Sequence, residues 1–149
     1  MKETRQVAEI TISYKPTVTR MPTIRSSNDA YEELKEFFSE DLISLQEQFV
    51  VMYLNQANGV LGIQVLSTGG ITGTFADPRL VLGTALKAAA TGLIISHNHP
   101  SGNLKPSEAD LLMTRRIKEA GKLMEINLLD HLIITPEGKY LSFIDEGLI

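Results

Sequence analysis

The chain predicts an α/β fold, a mixed β-sheet flanked by helices. Three features carry that expectation. Phe49-Val50-Val51-Met52-Tyr53-Leu54 is an almost unbroken apolar run of strand length, the pattern of a strand buried on both faces. Leu93-Ile94-Ile95 is a second buried strand, lying between two segments that carry helix-opening signals. Strands and helices alternate along the chain, the order that covers a sheet with helices.

Residues 1–22 form an extended N-terminal arm. Within it Val7, Ile10, Ile12 and Tyr14 suggest a short strand from Val7 to Tyr14, and Pro16 and Pro22 keep the rest extended. Ser26-Ser27-Asn28-Asp29 supplies an N-cap with an acid close behind it. It opens an amphipathic helix from Ala30 to Ser39 with Leu34, Phe37 and Phe38 as the buried stripe. After the strand at 49–54, Asn58-Gly59 is a turn signal leading into a strand from Val60 to Leu66, which makes a hairpin. Gly69-Gly70 and Gly73 mark a second bend.

Asp77 before Pro78 is an N-cap followed by proline at the first helical position. That helix should run about 14 residues, with Gly92 just past its end. A strand from Leu93 to Ser96 follows, and a third helix from Ser107 to about Met124. Leu128 to Thr135 is a strand, Pro136-Glu137-Gly138 a turn, and Tyr140 to Ile144 the last strand. There is no internal repeat and no low-complexity segment. Residues 23–149 therefore read as one domain.

Composition narrows the function classes. Apolar residues make up 43% and charged residues 21%, the proportions of an ordinary soluble globule. No apolar run reaches the roughly 18–20 residues of a membrane-spanning helix, and the N-terminus leads into no signal-like apolar region. A cytoplasmic location without membrane partners is the expectation. Cysteine is absent, which removes disulfides, thiolate metal sites and cysteine nucleophiles. A net charge of -4 gives no global attraction to phosphate backbones. Arg115, Arg116, Lys118 and Lys122 read as the solvated face of a helix.

The chemistry concentrates in His97-Asn98-His99 and, eleven positions after His99, Asp110. Alternate strand residues point to one side, so both imidazoles can face one point in space. Asp110 falls one turn into the helix after Pro106. Two imidazoles and one carboxylate leave a fourth tetrahedral position open, the ligand count of a catalytic zinc site. An ordinary reading stands beside this one. Ser107-Glu108-Ala109-Asp110 is also a capping box, in which Ser107 caps the helix and Asp110 reaches back to the cap's amide. Hydrolysis would further need a carboxylate acting as base on water. On the residues alone Glu40, Asp41 and Glu47 are equivalent candidates for it.

The string from His97 to Asp110 resembles the JAMM signature of the JAB/MPN metallopeptidases: a glutamate, then His-x-His, seven residues, Ser, two residues, Asp. Its surroundings resemble the RadC-like branch. They share the His97-Asn98-His99-Pro100-Ser101-Gly102 core, Pro106-Ser107, Glu119-Ala120-Gly121-Lys122-Leu123 and Leu129-Asp130-His131. The likeness covers roughly residues 23 to 149.

The resemblance implies a JAB/MPN, cytidine-deaminase-like architecture, with His97, His99 and Asp110 as Zn2+ ligands. It places Glu47 as the base acting on water at the zinc and Ser107 as the hydroxyl near the oxyanion. It implies hydrolysis of a peptide or isopeptide bond in a peptide or protein substrate. The alternative it implies is a DNA-associated accessory role in DNA repair or mobile-element maintenance, with DNA or DNA-processing proteins as partners. A third reading, a silent scaffold, is disfavoured by the intact ligand set. A zinc nucleobase deaminase is excluded by the lack of cysteine ligands.

The chain departs from the branch in two places. Residues 1–22 carry no helix-hairpin-helix pattern, and Asp77-Pro78-Arg79 stands where longer members often have a histidine. His131 reads first as a satisfied strand histidine and second as a partner of the ligands or part of a substrate wall. Arg79 reads as exposed in its helix's first turn rather than as a substrate contact, and Tyr140 and Phe143 as sheet packing.

Overall fold

A computed structural model describes residues 6–69 and 76–149. They form a five-stranded sheet in the order β2-β1-β3-β4-β5. The strands are β1 (Gln48–Leu54), β2 (Val60–Thr68), β3 (Gly92–Asn98), β4 (Asn127–Ile134) and β5 (Tyr140–Ser142). The helices are α1 (Ser27–Leu34), α2 (Pro78–Lys87) and α3 (Glu108–Leu123). β3 and β4 run parallel, joined across α3, and every other pairing is antiparallel. The α/β class with a mixed sheet and flanking helices is the one the chain predicts. Gly70 and Gly73 of the expected second bend lie outside the described residues. No helix among the described residues is long and apolar enough to cross a membrane.

Two hydrophobic layers sandwich the sheet, and strand parity decides which residue enters which. Val50, Met52 and Leu54 of β1 pack with Ile94, Leu132 and Ile134 against Ala30, Tyr31 and Leu34 of α1. Phe49, Val51 and Tyr53 pack with Leu93 and Ile95 against Val81 and Ala85 of α2 and Ile117 of α3. The central strands are therefore buried throughout, and their near-continuous apolar sequence follows from covering both faces.

Four local expectations are corrected. Val7 to Tyr14 forms no strand. Val7, Ile10 and Ile12 stay exposed, and the Tyr14 hydroxyl donates to the Leu61 carbonyl with no ladder around it. Alternation makes a strand only where a neighbouring strand accepts its backbone hydrogen bonds. The helix expected to Ser39 gives way to a 3-10 turn at Lys35–Phe37, which leaves Phe37 exposed while Leu34 and Phe38 are buried. α2 spans 10 residues instead of about 14. It closes at Ala89, whose φ is 55°, with Ala90 N–H donating to the Ala85 carbonyl and Ala89 N–H to that of Leu86. This is a Schellman ending built without glycine. Gly92 belongs to β3 instead, where a Cβ would come 3.1 Å from Leu129 Cδ1. The last strand stops at Ser142, short of Ile144.

α3 ends by the same device, with Glu125 at φ 57° and Ile126 N–H donating to the Gly121 carbonyl. This wraps the chain back over Gly121 so closely that a Cβ there would sit 2.4 Å from the Ile126 carbonyl oxygen. In an open helix Gly→Ala gains about 1 kcal/mol. Here the clash is with backbone, and Gly121→Ala should instead lose about 1–3 kcal/mol, the scale of overpacking. Urea unfolding of the variant beside the wild type measures the sign.

Candidate metal centre

β3 sits between β1 and β4 and carries His97 and Asn98, with His99 one residue beyond its end. His97 shares the parity of Ile95 and points toward α3, whose first turn presents Asp110. Ser107 caps α3 as expected. Its Oγ accepts from Asp110 N at 3.0 Å, and its own N–H donates to Asp110 Oδ2 at 2.8 Å. The capping box is present, and the same turn brings the Asp110 carboxylate to the two imidazoles.

The three side chains converge. His97 Nε2 lies 3.0 Å from His99 Nε2, Asp110 Oδ1 lies 3.2 Å from His97 Nε2, and Asp110 Oδ2 lies 3.2 Å from His99 Nε2. Tetrahedral zinc with bonds of about 2.0–2.1 Å has ligand-to-ligand edges of roughly 3.3 Å. The donors thus stand close to the separation such an ion requires. A carboxylate oxygen of Glu47 lies within 4.8 Å of both imidazoles. Glu47 and the two imidazoles thus form one group that could hold an ion, and the Asp110 carboxylate lies against the same two imidazoles at the shorter distances. Glu47, His99, Pro100, Ser101, Asn103, Lys105 and Ser107 line a cleft open to solvent. Glu40 and Asp41 are exposed and belong to no such cluster.

Electrostatics follow from this packing. Burial raises the Asp110 pKa, but the His97 and His99 rings and the Ser107 amide outweigh it and hold the carboxyl well below the usual carboxylate range. Burial lowers the His99 pKa, and the Asp110 carboxylate together with the Asn103 carbonyl reverses this into a net rise. His99 Nδ1 lies 2.6 Å from the Asn103 carbonyl oxygen. That oxygen can only accept, so Nδ1 carries the proton and Nε2 turns toward Asp110.

Asn98, to which sequence reasoning assigned no role, and His131, assigned one only as a second reading, complete the site. Asn98, between the two histidines, points to the opposite face and is fully buried. Its Oδ1 accepts from Gln48 N at 2.7 Å, and its Nδ2 donates to the carbonyls of Ile43 and Gln46 at 2.8 and 2.9 Å. It thereby pins the turn carrying Glu47 to the strand carrying the ligands. The signal was present in β-parity, which sends the middle residue of His-x-His away from its neighbours. His131 is satisfied, as its first reading holds, but its partner is His97: His131 Nε2 lies 2.8 Å from His97 Nδ1. All three histidines of the chain therefore meet. Burial, then proximity to His97, pushes the His131 pKa well below its ordinary value.

Asp130 accepts from His131 N, Ile144 N and Ser142 Oγ, fixing the C-terminal turn so that Phe143 stacks on the His131 ring at 4.3 Å. Tyr140 stacks on Tyr31 of α1 at 4.7 Å. Arg79 is exposed and pairs with Asp77. Arg115, Arg116, Lys118 and Lys122 are exposed along α3 with Glu119 among them.

Fold and centre define a JAB-type domain, and comparison with known proteins agrees. A family model described as the RadC-like JAB domain matches residues 24–148. The chain is 47% identical to a UPF0758 protein of Flavobacterium johnsoniae over 131 residues, 88% of this chain and 56% of that one. It is 37% identical to a UPF0758 protein of Aquifex aeolicus over 147 residues, 99% of this chain and 61% of that one. The chain belongs to the RadC-like JAB domain family. It spans about three fifths of the length of these relatives.

Replacing Asn98 with leucine would leave buried polar groups unpaired, at about 1–3 kcal/mol for each. Asn98→Leu should lower stability by at least that much in urea unfolding while the imidazoles still take up zinc, measured by titration of the folded variant.

Proposed function

We propose that this domain is a zinc-dependent hydrolase of the JAMM type, cutting a peptide or isopeptide amide bond. The observation that carries the reading is the triangle of His97 Nε2, His99 Nε2 and the Asp110 carboxylate, with edges of 3.0–3.2 Å and Glu47 alongside. Two imidazoles and one carboxylate suit zinc, and the open cleft leaves room for water and substrate. When bound, the ion would polarise the scissile carbonyl and bring the pKa of water to about 7.

The chain's own groups have distinct tasks. His97, His99 and Asp110 hold the ion. Glu47 takes a proton from the attacking water as its oxygen bonds to the carbonyl carbon. It then gives that proton to the amine nitrogen as the C–N bond breaks. Ser107 Oγ already accepts from Asp110 N, so its own proton is available to the carbonyl oxygen as negative charge gathers there. A peptide or protein is the substrate class this chemistry takes. The DNA-associated alternative draws on the exposed basic residues of α3, and Glu119 among them together with the net charge of -4 weighs against it.

Elemental analysis should find one zinc per chain, and a peptide library should be cleaved in a chelator-sensitive way. Glu47→Gln should retain zinc and lose at least about 100-fold in turnover, the scale of a general base. His97→Ala should lose the metal. Zinc held at full stoichiometry by His97→Ala would remove the site from this position.

A further inference from the structure

His97 faces a problem that His99 does not. An imidazole binds a metal through the nitrogen that lacks a proton, so the other nitrogen must carry one. For His99 the Asn103 carbonyl settles the matter, since it can only accept. His97 Nδ1 meets a second imidazole instead, His131 Nε2 at 2.8 Å, and imidazole nitrogens can either donate or accept. What fixes the direction lies one step further in. His131 Nδ1 is 2.6 Å from Thr114 Oγ1, and Thr114 Oγ1 donates to the Asp110 backbone carbonyl at 2.6 Å.

We propose that Thr114 and His131 are positioning residues that hold His97 in its Nδ1–H tautomer and so turn its Nε2 lone pair to the ion. The chain of bonds runs one way. The Asp110 carbonyl can only accept, so the single hydroxyl proton of Thr114 goes there. Thr114 Oγ1 therefore accepts from His131 Nδ1–H. His131, neutral and buried with Phe143 stacked on its ring and Phe49 edge-on, keeps Nε2 bare and accepts from His97 Nδ1–H. With Nδ1 protonated, His97 Nε2 is the nitrogen that offers its lone pair when the ion is bound, facing His99 and Asp110. The same chain begins at one ligand and ends on the backbone of another, which links the orientation of His97 to the helical turn that presents Asp110. His97, Thr114 and His131 are buried, at 0%, 1% and 0% exposure, so bulk solvent does not compete for these bonds.

This inference rests on the zinc reading above, and its test separates the two. Zinc affinity is measured by competition with a chromophoric chelator for the wild type, Thr114→Val and Thr114→Ser. Histidine tautomers are read from long-range proton–nitrogen spectra of the uniformly labelled, zinc-free wild type and Thr114→Val. The near-isosteric valine removes the hydroxyl, and serine restores it. Thr114→Val should bind zinc about 10–100-fold more weakly, and Thr114→Ser should bind as the wild type does. His131 should be the Nδ1–H tautomer in the wild type, with the Nε2–H form appearing in Thr114→Val. A wild-type His131 protonated at Nε2 alone overturns the inference whatever the variants do. Equal zinc affinity in the wild type and Thr114→Val overturns it and leaves the zinc reading standing. A wild type that takes up no zinc overturns both.

Discussion

Along β3, successive side chains leave opposite faces of the sheet, and this two-residue repeat organises the molecule around its site. Ile95 and His97 face α3 while Ile94 and Asn98 face the α1 side. The strand and the residue just beyond it therefore contribute two imidazoles to one layer and a structural staple to the other from three consecutive residues. A shift of one residue in register would exchange them, placing imidazoles in an apolar layer and an amide at the centre. The buried apolar residues on both sides of β1 and β3 hold the register against that exchange.

The polar network at the carboxyl end of β3 runs from the buried His97, Asp110 and His131 out to the exposed Ser107 and Asn103, and its geometry is determined more by hydrogen-bond direction than by contact area. Groups that can only accept, the Asn103 and Asp110 carbonyls, fix the protons of groups that can do either. Groups that can only donate, the amides of Ser107 and His131, fix the carboxylates of Asp110 and Asp130. No buried side-chain polar atom among the described residues lacks a partner. A network satisfied in this way has few alternative arrangements, which is the condition for holding ligands at a set separation.

Much of the fold was legible because it follows from local rules. Capping residues marked where α2 and α3 begin and stood at the start of α1, which opens at Ser27 rather than Ala30, and the strand order along the chain came from apolar runs bounded by turn residues. The failures also share a cause. The end of α2 at Ala89 lacks the glycine that normally marks a left-handed residue, so it gave no compositional sign. The arm at Val7 to Tyr14 has the alternation of a strand and no strand beside it. In both cases the outcome depends on what the segment meets rather than on what it contains.

For the site, the residue string alone showed two histidines and an aspartate at a spacing that a strand end and a helix start can bring together, and the capping box that carries Asp110, because a short loop between those elements has few ways to close. It left Glu47 level with Glu40 and Asp41, it gave His131 a place near the ligands only as a second reading, and it left Thr114 outside the chemistry altogether. The tertiary structure decided those. Pairing of β1 with β3 brings Glu47 beside the imidazoles, and the parallel pairing of β3 with β4 under α3 brings His131 and Thr114 to His97. Residues 17, 34 and 50 positions apart become neighbours only through sheet pairing and helix packing, and no pattern within a local window records that proximity.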